Sequence, residues 1–293
     1  MKITKDTSIQ DLITNPIFED YGHLLFPVDR FFDPQETIGD ITDSQHFIWY
    51  SNLQVESSLA VLNYFAEERE KGQRIFYPIY TLDEIAKDPS RADTGLFYFK
   101  GQPQAEFAIV NAGGGFHYVA ALHDSFPQAL EISQAGYHAF ALIYRPHLAY
   151  QDLGRTLEVI QGLAKDLDLK PTDYSLWGGS AGARMAITLG NRQSLTRYSR
   201  NLEPAAAVIS QYTGYSNVSP ADAPTYSNCG TNDGIANWRV MEERSKRLKR
   251  LGIPSEFHVY PALRHGFGIG LHTKARGWTK DAIHFWENQM KQG

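Results

Sequence analysis

The sequence predicts an α/β protein built on a doubly wound, mostly parallel sheet, and three observations lead to this prediction. From Thr94 onward, short apolar segments alternate with longer segments in which apolar residues recur every three to four positions. Such alternation is typical of strands and helices that follow one another along the chain. The short segments are almost continuously hydrophobic, which indicates strands buried on both faces. A turn of small residues around Ser180 joins one such strand to a helix.

The first part of the chain lacks this alternation, and we assign residues 1–93 to a mainly helical N-terminal extension that precedes a domain of residues 94–293. Apolar residues on one face predict a helix from Leu53 to Lys71. Thr81 and Glu84 fit the capping box of a shorter helix. The extension is too apolar for a disordered tail. Two interpretations remain open, a packed scaffold and a lid over the mouth of a site.

Seven strands and several helices are predicted in the second domain. The strands are Leu96–Phe99, Phe107–Val110, His138–Tyr144, the apolar segment before Ser180, Ala205–Ile209, Tyr226–Cys229 and Phe257–Tyr260. The helices are an amphipathic segment ending at Gly136, a segment with apolar residues from Leu153 to Leu167, the segment after Ser180, a helix from Trp238 to Leu251, and a last helix marked by Trp278, Ala282 and Phe285. We see no internal repeat or linker.

Composition excludes several classes of function. The formal net charge of −5 and the lack of a basic block argue against a nucleic-acid partner. No apolar run reaches the length of a membrane span, and the opening residues lack an apolar signal-peptide core, so we expect a cytoplasmic protein without a membrane partner. The single cysteine, Cys229, cannot form an intrachain disulfide, and we favour a buried structural role for it over a reactive thiol.

The strand-to-helix turn Gly178-Gly-Ser-Ala-Gly182 fits the G-x-S-x-G pattern of a nucleophile elbow. The chain must reverse sharply there, and a Cβ two residues to either side of Ser180 would collide across the turn. The turn would place the hydroxyl of Ser180 above the carboxyl ends of the strands and at the N-terminus of a helix. The helix dipole at that end favours developing negative charge.

A serine hydroxyl needs a base to remove its proton, and an imidazole base works best when a carboxylate orients it. Asp233 follows the strand that ends near Cys229, and His265 follows the last strand. Each residue alone has a simpler interpretation, a turn pair for Asp233 and a solvated loop for His265. Their order after Ser180, each behind a successive strand, favours a Ser…Asp…His triad.

Three glycines, Gly113-Gly-Gly115, directly follow the strand that ends at Val110 and Asn111. An oxyanion hole needs backbone N–H groups that converge on one point without side chains that block the substrate. The N–H of Ala181 would be a further donor. The alternative, a phosphate-binding turn, does not fit, because the glycine spacing departs from the dinucleotide pattern and no P-loop Lys-Ser/Thr follows.

From about Thr94 to the C-terminus the chain resembles the α/β-hydrolase superfamily, and within it the hormone-sensitive-lipase-like and acetyl-xylan-esterase-like carboxylesterases. The matching segments are Gly113–Phe116, Tyr144-Arg145, Gly178–Gly182, Gly230–Asp233 and His265–Phe267. The resemblance implies a Ser-His-Asp esterase whose oxyanion donors are Gly114, Gly115 and Ala181. Ala112 stands where the lipase-like branch has His, and the Asn111-Ala112 opening leans toward the sugar-esterase branch.

These observations predict a serine carboxylesterase that hydrolyses small acyl esters, acetylated sugars among them, through an acyl-enzyme. The expected partner is a small-molecule ester, and no cofactor or metal site is expected, because no H-E-x-x-H or clustered His/Asp spacing occurs. A serine peptidase or amidase with the same triad, and a non-catalytic binding protein of the same fold, remain alternatives. A homodimer formed by aromatic surface residues also remains open.

Overall fold

A computed structural model describes residues 2–26, 35–42, 47–198 and 202–290. Eight strands form one sheet, with bounds β1 Phe76–Tyr77, β2 Gly95–Phe99, β3 Phe107–Asn111, β4 His138–Ile143, β5 Ser175–Gly179, β6 Ala207–Gln211, β7 Thr225–Gly230 and β8 Ser255–Tyr260. The helices are α1 Ile9–Ile13, α2 Val55–Glu70, α3 Leu82–Lys87, α4 Ala121–Asp124, α5 Phe126–Gln134, α6 Ala149–Leu163, α7 Ala181–Gly190, α8 Arg192–Tyr198, α9 Trp238–Arg250 and α10 Trp278–Met290.

The strand order across the sheet is β1-β2-β4-β3-β5-β6-β7-β8. Strand β2 pairs antiparallel with β1 and β4, and every pair from β4 to β8 is parallel. The carboxyl ends of β3 to β8 therefore lie at one edge, where an open α/β sheet binds its ligands. The predicted fold class, a doubly wound and mostly parallel sheet, is confirmed.

Burial explains why these segments form strands. All residues of β3, β4, β5, β6 and β7 are buried, so their continuous hydrophobicity matches a sheet covered on both faces. Helix α5 packs on β4, α10 packs on β6, and these two helices contact each other. Helices α6, α7 and α8 form a second group whose members contact one another, and α7 packs on β5 and β6. The last strand, β8, is half exposed because it lies at the edge of the sheet.

The N-terminal residues pack onto this sheet. Helix α2 contacts α5, and the ring of Phe65 lies 5.4 Å from that of Phe126. Both hydrogen bonds of the predicted capping box, between Thr81 and Glu84, are present. Strand β1 was not predicted, because two residues are too few to show a period. The boundary at residue 93 stays a prediction, although β1 within the first 93 residues pairs with β2.

Candidate active site

Ser180 lies in the turn between β5 and α7, with backbone angles φ 52° and ψ −113° that a residue with a side chain rarely adopts. The surrounding glycines are sterically required. A Cβ on Gly178 would lie 2.3 Å from the backbone of Gly182, and a Cβ on Gly182 would lie 1.9 Å from the carbonyl oxygen of Asn111. The turn between a buried strand and a buried helix therefore tolerates no larger residue at these two positions.

The three side chains of the predicted triad meet at the carboxyl edge of the sheet. The Nε2 atom of His265 lies 3.0 Å from the Oγ atom of Ser180, and its Nδ1 atom lies 2.8 Å from Oδ2 of Asp233. A carboxylate only accepts hydrogen bonds, so a neutral imidazole donates from Nδ1 to Asp233 and accepts the Ser180 hydroxyl proton at Nε2. This is the protonation state that a general base requires.

Asp233 is held in place by the loop after β7. Its Oδ1 atom accepts the N–H groups of Ile235 and Ala236 at 2.8 and 2.7 Å, and its side chain is fully buried. Burial acts to raise the pKa of Asp233, but its interaction with His265 and the hydrogen bonds from the two N–H groups together outweigh burial and hold this pKa below its usual value. The carboxylate is therefore ionised and oriented at neutral pH. Nearby Cys229 is buried, and burial raises the pKa of its thiol, in agreement with a structural role.

The carbonyl groups of the glycine loop after β3 accept hydrogen bonds from N–H groups a few residues further along the chain. The carbonyl of Gly113 accepts the N–H of Ala120, and that of Gly114 accepts the N–H of His117. Gly114 and Gly115 have φ values of 125° and 63°, which favour glycine. Among the described residues, no hydrogen bond uses the N–H groups of Gly114, Gly115 or Ala181. These are the three donors that the resemblance to the α/β-hydrolase superfamily implies for an oxyanion hole, and that role stays a prediction.

A buried carboxylate, Asp124, lies behind this loop and was not predicted. Its Oδ2 atom accepts the N–H of Gly113 at 2.7 Å and the hydroxyl of Tyr50 at 2.9 Å, and its Oδ1 atom accepts the hydroxyl of Tyr212. Burial raises the pKa of Asp124 to about 6. A sequence signal existed, because Asp124 is an acidic residue within the otherwise mostly apolar segment 118–126, and a buried charge needs partners.

Residues 47–52 of the N-terminal extension contact the loop that carries His265 and the residues next to the glycine loop. Ser51 donates its hydroxyl to the carbonyl of His265 at 2.7 Å and its N–H to that of Gly266 at 3.2 Å. The ring of Trp49 lies 5.9 Å from the ring of His117, beside the glycine loop. The extension therefore supports the histidine loop and supplies an aromatic side chain at the mouth of the site.

Two cavities open beside Ser180. One of about 350 Å³ is bordered by Phe116 and Tyr212, and one of about 330 Å³ is bordered by Trp49, His117 and His265. Ser180 borders both cavities, so together they offer room for a small substrate beside its hydroxyl.

No metal-binding cluster of three or more His, Cys, Asp or Glu side chains is found in the described ranges. Within the same ranges, none of the helices combines the length and apolarity needed to cross a bilayer.

No protein-family model matches the chain, and no curated protein does. Solved structures do resemble it. The acetyl ester-xyloside bifunctional hydrolase from Caldicellulosiruptor lactoaceticus has a TM-score of 0.62 and 22% identity, over 73% of this chain and 95% of that one. The carboxylesterase Cest-2923 from Lactobacillus plantarum WCFS1 has a TM-score of 0.58 and 19% identity, over 67% of this chain and 92% of that one.

A third structure, the α/β hydrolase MGS-M1 from a Medee basin deep-sea metagenome library, has a TM-score of 0.56 and 18% identity, over 68% of this chain and 93% of that one. At these identities the similarity concerns the fold. The chain has the α/β-hydrolase fold, as its sequence motifs predict.

Proposed function

We propose that this protein is a serine carboxylesterase that hydrolyses small acyl esters. One observation carries the proposal: the hydroxyl of Ser180, the imidazole of His265 and the carboxylate of Asp233 form a continuous hydrogen-bonded chain. These side chains lie beside the glycine loop after β3. Among the described residues, no hydrogen bond uses the N–H groups of Gly114 and Gly115, which can therefore bind a negatively charged oxygen. A fold by itself does not identify a reaction, so the proposal rests on these groups.

In the proposed mechanism, the Oγ atom of Ser180 attacks the ester carbonyl carbon while Nε2 of His265 accepts the hydroxyl proton. Asp233 keeps the imidazole in the required tautomer and stabilises its protonated form. The carbonyl oxygen becomes an oxyanion that accepts hydrogen bonds from the N–H groups of Gly114, Gly115 and Ala181. Each such donor contributes about 3 kcal/mol to transition-state stabilisation.

His265 then gives its proton to the leaving alcohol, and an acyl-enzyme on Ser180 remains. A water molecule transfers a proton to the same imidazole and attacks the acyl carbon, and the acid leaves as Ser180 regains its proton. Asp124 takes part indirectly, because it holds the N–H of Gly113 and so positions the next two glycines.

The two cavities, of about 350 and 330 Å³, have room for a small ester. Acetylated sugars are the first natural class to test, because one similar structure is described as an acetyl ester-xyloside hydrolase.

The first prediction concerns Ser180. We expect the purified protein to hydrolyse p-nitrophenyl acetate and the Ser180→Ala variant to lose this activity by a factor on the order of 10⁶, since the residue forms the covalent intermediate. A fluorophosphonate probe should label the wild type at Ser180 and leave the variant unlabelled. The other serines of the same chain are the internal control. Retained turnover by a folded Ser180→Ala protein would reject the proposal.

A further inference from the structure

Arg184 lies one helical turn beyond Ser180. Its backbone N–H donates to the carbonyl of Ser180 at 3.3 Å, and its exposed side chain lines the 350 Å³ cavity that contains Ser180. Side chains on a helix lean toward its N-terminus, which is the end of α7 where Ser180 lies, and Arg184 and Ser180 line the same cavity. An always-charged group therefore stands within a side-chain length of the proposed nucleophile.

The location of Arg184 costs stability without local compensation. A cation near a helix N-terminus is disfavoured by the helix dipole, and the first turn of α7 contains no acidic residue. Within the described part of the chain, the side chain of Arg184 forms no ion pair and no hydrogen bond. Uncompensated local conflicts of this kind are expected at functional sites.

The described residues that line the cavities carry no opposite charge. Among them, neither of the two cavities beside Ser180 has an aspartate or a glutamate. The buried carboxylates of Asp124 and Asp233 lie behind the site and are already occupied by hydrogen-bond donors. Of the described side chains that line these cavities, Arg184 is therefore the one with a permanent charge, and Thr213 of the same cavity offers a hydroxyl.

We propose that Arg184 forms an anion subsite and that the substrate is an ester that carries a carboxylate on the part lying over the start of α7. This inference rests on the proposed esterase function and names its substrate class. A guanidinium presents a planar pair of donors that matches a carboxylate. Binding there would hold the scissile carbonyl one helical turn away, at the hydroxyl of Ser180.

The test uses two matched pairs of esters. In the first pair, 3-acetoxybenzoate carries the anion on the leaving group, and its methyl ester is the neutral control. In the second pair, the monophenyl ester of adipic acid carries the anion on the acyl group, and its methyl ester is the neutral control. We expect the wild type to prefer the anionic member of one pair by about tenfold in kcat/KM, the effect of one charge-assisted contact.

In the Arg184→Gln variant we expect this ratio of anionic to neutral kcat/KM to fall about tenfold, and in Arg184→Glu to fall further. Arg192→Gln, which removes an exposed arginine of α8 that does not line the cavity, should keep the wild-type ratio. A second measurement needs no variant: raising the salt concentration from 0.05 to 1 M should lower the ratio in the wild type, since salt screens exposed charges.

The outcomes separate the two proposals. Hydrolysis of the neutral esters with no anionic preference in either pair would overturn the anion subsite and leave the esterase function standing. A preference that survives in Arg184→Gln would assign it to another residue and would equally overturn the subsite. No hydrolysis of any of the four esters by the wild type would overturn both proposals.

Discussion

Asp124 has no exposed surface, yet it keeps three hydrogen-bond donors from different parts of the chain around one carboxylate. Burying a charge is unfavourable unless it is well hydrogen-bonded. The donors come from the N-terminal extension, the glycine loop and the loop after β6. One buried anion thus orients the loop that supplies the proposed oxyanion donors, and it does so at some expense of stability at neutral pH.

This expense leads to a prediction for the pH dependence of stability. The pKa of Asp124 is raised to about 6 by burial, above its unfolded value of 3.8. Between these values the folded state holds the proton and the unfolded state does not, so the free energy of unfolding falls as pH rises. From pH 5 to pH 8 we expect the wild type to lose about 1.4 kcal/mol that the Asp124→Asn variant does not lose.

Urea unfolding of both proteins at pH 5 and pH 8 measures this difference. Neighbouring His123, whose pKa burial lowers to about 4, is present in both proteins, so its titration cancels in the comparison. An identical change in both proteins between the two pH values would contradict the assignment of the raised pKa to Asp124.

At the scale of elements, the turn between β5 and α7 has little steric freedom. A Cβ added at Gly178 or Gly182, two residues before and after Ser180, would meet backbone atoms. Backbone atoms cannot move aside as a flexible side chain can. Other glycines of this chain have open space around them. Gly162 in α6 has no neighbouring atom within 4 Å of the position of an added Cβ. The same substitution should therefore have opposite effects at the two kinds of position.

We expect Gly182→Ala to destabilise the protein by about 3 kcal/mol, because the new Cβ would lie 1.9 Å from the carbonyl oxygen of Asn111. Gly162→Ala should stabilise it by about 0.5–1 kcal/mol, since alanine restricts the unfolded chain and favours a helix. Thermal and urea unfolding check both values. Equal effects of the two substitutions would show that the turn can relax around a side chain.

At the scale of the whole molecule, the N-terminal residues and the sheet both contribute to the candidate active site. Tyr50 reaches Asp124 across 74 positions of sequence, and Ser51 reaches the backbone of His265 across 214. The prediction from sequence left scaffold and lid open. These contacts place residues 47–52 against the loop of His265 and against Asp124 behind the glycine loop, and the lid stays a prediction.

A pair of tyrosine variants tests this coupling. Tyr50→Phe removes a hydrogen bond to the Asp124 carboxylate, and we expect kcat/KM for p-nitrophenyl acetate to fall about tenfold, since a hydrogen bond to a charged group contributes about 1.5–3 kcal/mol. Tyr64→Phe is the control, because Tyr64 also belongs to the extension but accepts from the N–H of Lys100 away from the site. Equal activity of the two variants would argue that the extension only covers the domain.

Much of the architecture could be read from the sequence because its signals are local. The strand cores lie where the apolar segments are, α9 and α10 begin at the predicted Trp238 and Trp278, and α6 begins a few residues before its first predicted apolar position, Leu153. Helix α8 was missed, since a seven-residue helix with one buried residue carries no clear period.

The sequence by itself determined the fold class, the elbow at Ser180 and the order in which Asp233 and His265 follow it. These features depend on short-range patterns and on the rule that parallel strands end at one edge. Only the tertiary structure decided that Tyr50, Asp124 and Tyr212 meet behind the glycine loop and that Arg184 faces the cavity unpaired. Such contacts join residues far apart in sequence, and packing rather than local preference selects them.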